Sequence, residues 1–176
     1  MKLNTVICGN LEVFQFPVTQ KEYKKVVGIN PSYHNKEIMG FSTKRFPVTN
    51  VSAYDAEQFC ELLGGDWRLP SDQEWSLLAG NKKYSGGDDA DEVAVYNQEN
   101  PCEVGTKKPN ELGLYDMSGL VWEWTSTVSG SNQVVRGGGW YDVAANVCAS
   151  VRDINSPDGS DIYLGFRPVR NLKEGK

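Results

Sequence analysis

Residues 134–167 read VVRGGGWYDVAANVCASVRDINSPDGSDIYLGFR, and the contrast between the ends of this stretch and its middle decides how the chain is understood. A short apolar run enters three consecutive glycines, Gly137, Gly138 and Gly139, and Leu164-Gly165-Phe166-Arg167 closes the segment. Between them aromatic, acidic and small residues mix with neither a helical nor a strand period. Firm ends around an unpatterned middle describe a scaffold that holds out a surface.

Working outward, the chain from Leu112 onward reads as short strands and turns. VWEWT at 121–125 alternates as a strand does, and so do 133–136 and 166–169. Upstream lie three S/T-x-x-D/E signatures, Thr19 with Glu22, Ser52 with Asp55 and Ser71 with Glu74. In each, the cap oxygen takes an orphan amide of the first turn and the acid three residues on favours the helix dipole. Helices are therefore predicted near 19–27, 52–63 and 71–79. The second puts Ala53, Ala56, Phe59, Cys60 and Leu63 on one stripe, a core face. Helices first and strands afterwards, without βαβ alternation, indicate an α+β domain with a small twisted antiparallel sheet.

Other segments carry less information. Phe-Pro-Val-Thr occurs at 16–19 and again at 46–49, each time leading into a capped helix. Two short copies do not make a repeat fold, and they read as similar strand-to-helix entries. Trp67 and Trp75 flank a Pro70 junction from which both can reach one core. The polar stretch 32–45 reads as a surface excursion with His34 solvated on it. The segment 80–110, rich in Gly, Asp, Asn and Lys, is the longest irregular region and the one expected to be mobile.

The bulk numbers set limits. A chain of 176 residues fits one domain, spanning 1–176, with five tryptophans among its 11% aromatics supplying much of the burial. Net charge is −5, and Lys and Arg never run beyond two, which argues against nucleic acid or an anionic membrane as partner. No stretch of about 18 apolar residues occurs, and the N-terminus lacks the apolar run of a signal peptide. The expectation is a soluble protein without membrane insertion. Four scattered cysteines (Cys8, Cys60, Cys102, Cys148) and a single histidine exclude a Cys/His zinc site, a haem attachment and a His-rich iron centre. Buried free thiols are expected, with a disulfide open to a protein working outside a cell.

One local motif carries chemistry. In Asp116-Met117-Ser118-Gly119-Leu120-Val121-Trp122-Glu123, two carboxylates flank a turn whose carbonyls at Gly119 and Val121 can point the same way. Hard oxygen donors of this kind suit calcium, and the alternative is a turn with two exposed acids.

These residues resemble a family. NELGLYDMSG at 110–119, VWEWT at 121–125, RGGGW at 136–140 and GFR at 165–167 look like the signature series of formylglycine-generating-enzyme-type domains, a branch of the C-type lectin fold. PVTNVS at 47–52 and RLPS at 68–71 with Glu74 and Trp75 match the same family in the same order, so nearly the whole chain is covered. The resemblance implies a structural calcium on Asp116, Gly119, Val121 and Glu123, with no organic cofactor. Asp116 stands where an Asn is common, and so does Leu120. The family's enzyme uses a pair of cysteines a few residues after the glycine run. Here Asp142 and Ala144 or Ala145 occupy those places, Cys148 alone cannot form the pair, and Arg152 fits the family's structural arginine.

What the resemblance leaves is the family's non-catalytic use, as in the variable proteins of diversity-generating retroelements. These display a diversified C-terminal segment for ligand binding. The implied contact residues are Trp140, Tyr141, Asp142, Ala144, Asn146, Asp153, Asn155, Asp158, Ser160, Asp161 and Tyr163. Trp and Tyr offer area at low entropic cost, and Ser, Asn and Asp offer adaptable polar contacts. At least one of Trp140, Tyr141 and Tyr163 is expected to face solvent, and one at least of Trp122 and Trp124 to be core. The expected partner is an unknown protein or surface ligand, and the protein itself is expected to be associated with a virion or a cell surface through another subunit. An altered formylglycine-generating or iron-dependent enzyme, or a purely structural subunit, are the competing readings.

Overall fold

The structure, a computed structural model, describes residues 3–172. The three capped helices form where the capping boxes place them. They are α1 (Gln20–Val27), α3 (Ala53–Leu63) and α4 (Asp72–Ala79), each with reciprocal bonds between the cap hydroxyl and the acid at the third helical position. Two single-turn helices, α2 (Lys36–Met39) and α5 (Ala90–Val93), were not expected from the sequence. Both are capped by an Asx side chain, Asn35 and Asp89, and four residues are too few for a hydrophobic period to show.

The strands make two sheets. β1 (Thr5–Cys8) and β2 (Leu11–Phe14) form a hairpin, and β7 (Val169–Asn171) pairs with β2, so the two ends of the chain share one sheet. The second sheet has the order β5-β4-β3-β6, from β3 (Trp122–Ser129), β4 (Asn132–Arg136), β5 (Arg152–Asn155) and β6 (Leu164–Phe166). Its β3–β6 pairing is parallel, which corrects the all-antiparallel expectation. The long excursion between β4 and β6 allows this, since a parallel neighbour needs a crossover where an antiparallel one needs only a turn. No described helix is long and apolar enough to cross a membrane.

The stripe of α3 is buried as its period requires. Ala53, Ala56, Phe59 and Cys60 pack with Tyr23 of α1 on Trp124 and Phe166 of the second sheet. The Tyr23 and Phe59 rings stack at 5.6 Å and 8°. Trp122 and Trp124 are both buried, because loops cover the face of β3 that an isolated strand would leave wet. Trp67 and Trp75 do not meet in one core. Trp67 packs edge-on to Phe14 in the cluster just described, whereas Trp75 joins Leu78, Val13 and Val169 in a second cluster beneath the first sheet.

Three further expectations change. The Phe-Pro-Val-Thr copies lie side by side, with Thr19 bridged to Pro47 and the Val48 amide donating to the Val18 carbonyl at 2.8 Å. The segment 80–110 is irregular but pinned: Tyr84, Ala90 and Val93 are buried in one satellite cluster, and Val95 and Val104 in another. His34 is buried rather than solvated, and its ring sits edge-on to Trp140 at 5.5 Å.

The two sheets are joined by one buried ion pair. Glu123 of β3 and Arg167, just after β6, are both fully shielded from solvent and 2.8 Å apart. Arg167 also donates to the carbonyls of Phe14 at 2.9 Å and Tyr115 at 2.6 Å, while the Trp75 indole N–H donates to Glu123 at 2.8 Å. Removing one partner of a buried pair strands the other charge. Glu123→Ala is therefore expected to lower the unfolding free energy by about 3–5 kcal/mol in a urea titration.

A second ion pair gives a pH signature. The Arg68 guanidinium bonds both oxygens of Glu74, at 2.7 Å each, and holds this carboxyl down at about 2 from 4.5. A depressed carboxyl contributes its full stabilisation above its unfolded value and loses it as pH falls through the folded one. The stability of Glu74→Gln is expected to fall less steeply than that of the parent between pH 4.5 and about 2, in acid-titrated melts.

Candidate ligand-binding face and metal motif

β4 runs into Gly137, Gly138 and Gly139, and the close packing there fixes the course of the chain beyond. A Cβ on Gly138, whose φ is 79°, would lie 2.5 Å from the Asn146 carbonyl oxygen, so the 3-10 turn Ala144–Val147 rests on bare backbone. Trp140 is tied by its amide to the Leu120 carbonyl and by its carbonyl to the Gln98 amide, at 2.9 and 2.8 Å. It is buried, not a contact residue. Asp142 is buried too, and its Oδ2 accepts from the Trp122 indole at 2.9 Å and the Gly139 amide at 2.8 Å. It closes the turn and offers little to a ligand.

The exposed part of the segment is better defined. Tyr141 is 42% exposed, and its ring lies 4.9 Å from that of half-buried Tyr163 at an angle of 48°. Burial raises the Tyr141 hydroxyl above its ordinary value, and the carboxylates of Asp142, Asp161 and Asp153 add to the shift. A hydrogen bond to Asp161 raises Tyr163. Asn146, Asp153, Asp158 and Ser160 are exposed, and Ala144, Asn155 and Asp161 are intermediate. Asp153, Asn155 and Asp161 each fold a carboxylate or amide oxygen back onto the next backbone amide, at 2.7–2.8 Å, so these loop side chains are partly pre-set.

The face extends beyond 134–167. Tyr33, His34, Trp140, Tyr141 and Tyr163 form a continuous run of ring contacts between 4.9 and 5.5 Å. Exposed Tyr33 stands at one end of the run and the Tyr141–Tyr163 pair at the other. Four buried side-chain atoms in this neighbourhood have no hydrogen-bond partner: His34 Nδ1, Thr49 Oγ1, Asn50 Oδ1 and Trp140 Nε1. Thr49 and Asn50 belong here through their backbones, since Ser32 holds the Thr49 amide at 3.0 Å and the Asp161 carbonyl holds the Asn50 amide at 2.8 Å. Sequence reasoning missed this second contribution, and the lone His next to a Tyr is the one signal that could have pointed to it.

In the metal motif both acids are buried, so the reading as a turn with exposed acids fails. Asp116 sits in left-handed backbone, φ 59°; one of its oxygens accepts the Gly105 amide at 2.7 Å and the other, Oδ1, has no partner. Burial pushes its carboxyl up to about 6. Left-handed backbone recurs at Gly119 and Leu120, and a Cβ on Gly119 would lie 2.0 Å from the Val95 carbonyl oxygen. Leucine at φ 65° is strained, and its complete burial offsets the cost. Asparagine tolerates this backbone better than leucine does.

An orphaned carboxylate oxygen beside a second buried carboxylate fits a hard cation. The fit at Glu123 is shared, because its oxygens already take Arg167 and Trp75. Among the described residues no three His, Cys, Asp or Glu side chains gather, so carbonyls such as Gly119 and Val121 must complete any shell.

The cysteines are free, and they split. Cys8 and Cys60 are buried, but Cys102 and Cys148 are only half-buried, which corrects the expectation of four buried thiols. Burial raises Cys8 and Cys102 and pushes Cys60 up to about 12, which keeps these thiols protonated at neutral pH. Cys148 has its Sγ 3.7 Å from the Ala144 carbonyl, and Asp142 stands in the turn ahead of it. Arg152 is not buried. It is partly exposed and paired with Asp72 at 2.8 Å, and the buried arginines among the described residues are Arg136 and Arg167.

These contacts separate surface from scaffold by measurement. Asp142→Ala is expected to cost about 1–3 kcal/mol, as the Trp122 and Gly139 N–H groups lose their acceptor. Tyr141→Ser combined with Asp153→Ser is expected to stay within about 0.5 kcal/mol of the parent. Equal losses in chemical denaturation would put the exposed residues in the core as well.

Comparison with known proteins agrees with this geometry. The sulfatase-modifying factor enzyme 1-like domain family matches residues 4–172. The chaperone protein LppX of Paenibacillus barcinonensis is 28% identical, over 94% of this chain and 82% of its own length. The inactive C-alpha-formylglycine-generating enzyme 2 of Bos taurus is 34% identical over 69% of this chain and 49% of its own, so the chain spans about half of that relative. Among solved structures, Treponema denticola variable protein 1 superposes with a TM-score of 0.83 at 26% identity, covering 92% of this chain and 84% of that one. With the glycine run, the buried Glu123–Arg167 pair and a match from residue 4 to residue 172, this chain belongs to the sulfatase-modifying factor enzyme 1-like domain family, with its formylglycine-generating-enzyme type of C-type lectin fold.

Proposed function

We propose that this chain is a non-catalytic ligand-binding protein whose 134–167 segment displays the contact face, in the manner of the variable proteins it resembles. The observation that carries the reading is exposed Tyr141, set on a turn whose hydrogen bonds are satisfied by Asp142 and paired with the half-buried Tyr163 ring. Rigid aromatic area on a fixed frame is what a binding face needs. The non-catalytic half of the reading is supported by the place of the family's first cysteine being filled by Asp142, whose carboxylate is engaged in structure. The partner is a protein or surface ligand on another particle or cell.

Diversification of the segment by a retroelement is the finer form of the proposal. It has a genomic test: a near-copy of the DNA encoding 134–167, differing mainly at adenines, beside a reverse transcriptase gene. The protein-level test of the display reading is replacement of Tyr141, Asp153, Asp158 and Ser160 together. The melting midpoint is expected to hold while captured ligand is lost; retention of every ligand by this variant would sink the display reading.

We also propose a structural calcium on Asp116, with Gly119, Val121 and a shared Glu123. The unpartnered Asp116 Oδ1 supports it. A cation that binds only the folded state stabilises it by mass action. Chelator is expected to lower the melting temperature and Asp116→Ala to abolish that sensitivity; an unchanged melt in chelator would rule calcium out.

A further inference from the structure

The composition of the display segment is one-sided. Between residues 140 and 163 there are four aspartates, Asp142, Asp153, Asp158 and Asp161, and one base, Arg152, which is held by Asp72 at 2.8 Å. No lysine or glutamate occurs there. Exposed Tyr141 and half-buried Tyr163 lie among these acids, with Asp161 hydrogen-bonded to Tyr163 and Asp153 within electrostatic reach of Tyr141. An open, electron-rich pair of rings beside carboxylates attracts a cation through the ring faces as well as by charge.

An independent observation concerns hydrogen-bonding capacity. Thr49 is 2% exposed and its Oγ1 has no partner; next to it Asn50 Oδ1 is likewise unpaired. The Asn50 amide is bonded to the Asp161 carbonyl, so the backbone of this pair lies against the acidic edge of the face. Unpaired buried acceptors are costly and need a donor. Lysine and arginine side chains are the groups that donate several hydrogen bonds and accept none. The other two orphans, His34 Nδ1 and Trp140 Nε1, belong to the run of rings that leads to Tyr141.

We infer that the occupant of the Tyr141–Tyr163 face is a basic segment of a protein partner, with an arginine or lysine side chain seated against the two rings and Asp161. This rests on the proposed function and names its partner chemistry. Arginine fits better than lysine, because its planar guanidinium stacks on a ring while bonding a carboxylate.

The test is a titration of the intact protein with an amidated Gly-Arg-Gly-Arg-Gly peptide, followed by NMR of the tyrosine rings, with Gly-Glu-Gly-Glu-Gly as the matched control. The arginine peptide is expected to shift the Tyr141 and Tyr163 signals saturably and the glutamate peptide to leave them in place. Tyr141→Ala and Asp161→Asn should each raise the dissociation constant at least about fivefold, the size of one lost cation–π or charge contact. Asp161→Asn keeps the oxygen that caps Ile162, so a folded protein is assured by the conservative variant even if Tyr141→Ala is poorly behaved. Equal shifts with the two peptides, or arginine shifts confined to signals other than these tyrosines, would overturn the inference. Panning a random peptide library, and keeping clones that Tyr141→Ala no longer binds, separates the two readings. Basic clones support both. Clones without Lys or Arg overturn the basic partner and leave ligand binding standing, and an absence of dependent clones overturns both.

Discussion

The pairing of Glu123 with Arg167 is the contact through which the parts of this molecule depend on one another. Both groups are wholly buried, and their five hydrogen bonds reach β2, β3, α4 and the turn at Tyr115. Desolvating two charges costs several kcal/mol per ion, so such a pair stabilises only when its geometry and remaining donors are satisfied. Here the guanidinium bonds two backbone carbonyls from separate parts of the chain, and the carboxylate takes an indole from a helix. The pair thereby fixes the relative placement of the two sheets, which hydrophobic packing alone would leave free to slide.

That fixed frame accounts for the character of the segment 134–167. Its entry is clamped by Trp140 and Asp142, its exit by the parallel β3–β6 pairing and Arg167. Between these clamps Tyr141, Asn146, Asp153, Asp158 and Ser160 are exposed, and they make few bonds to the scaffold. Side chains of this kind can be exchanged at little cost in stability. The residues that look similar in composition but lie inside, Trp140 and Asp142, cannot.

Much of the fold was legible because its signals are local. A capping box brings a hydroxyl and a carboxylate three residues apart into reciprocal contact, so helices α1, α3 and α4 begin where Thr19, Ser52 and Ser71 stand. The alternation of 121–125 and the stripe of α3 likewise report a period set by backbone geometry. The candidate site was half legible. The segment was marked by its ends, but which of its aromatic and acidic residues face outward was not, since Trp140 and Tyr141 are adjacent and differ only in what packs on them. Beyond the lone His34 beside Tyr33, nothing marked His34, Thr49 and Asn50, because they reach the face from segments about 90 residues or more away in sequence.

The sequence by itself determined the α+β class, the capped helices, the family series of motifs and the absence of a cysteine pair after the glycine run. Each of these is a property of neighbours along the chain. Only the tertiary structure decided that Asp142 is a clip and not a contact, that Asp116 and Glu123 are buried, that the second Phe-Pro-Val-Thr copy pairs with the first, and that a run of rings carries the face across to Tyr33. Burial and hydrogen-bond satisfaction are properties of what surrounds a group in space. Residues distant in sequence supply those surroundings, and no local pattern records them.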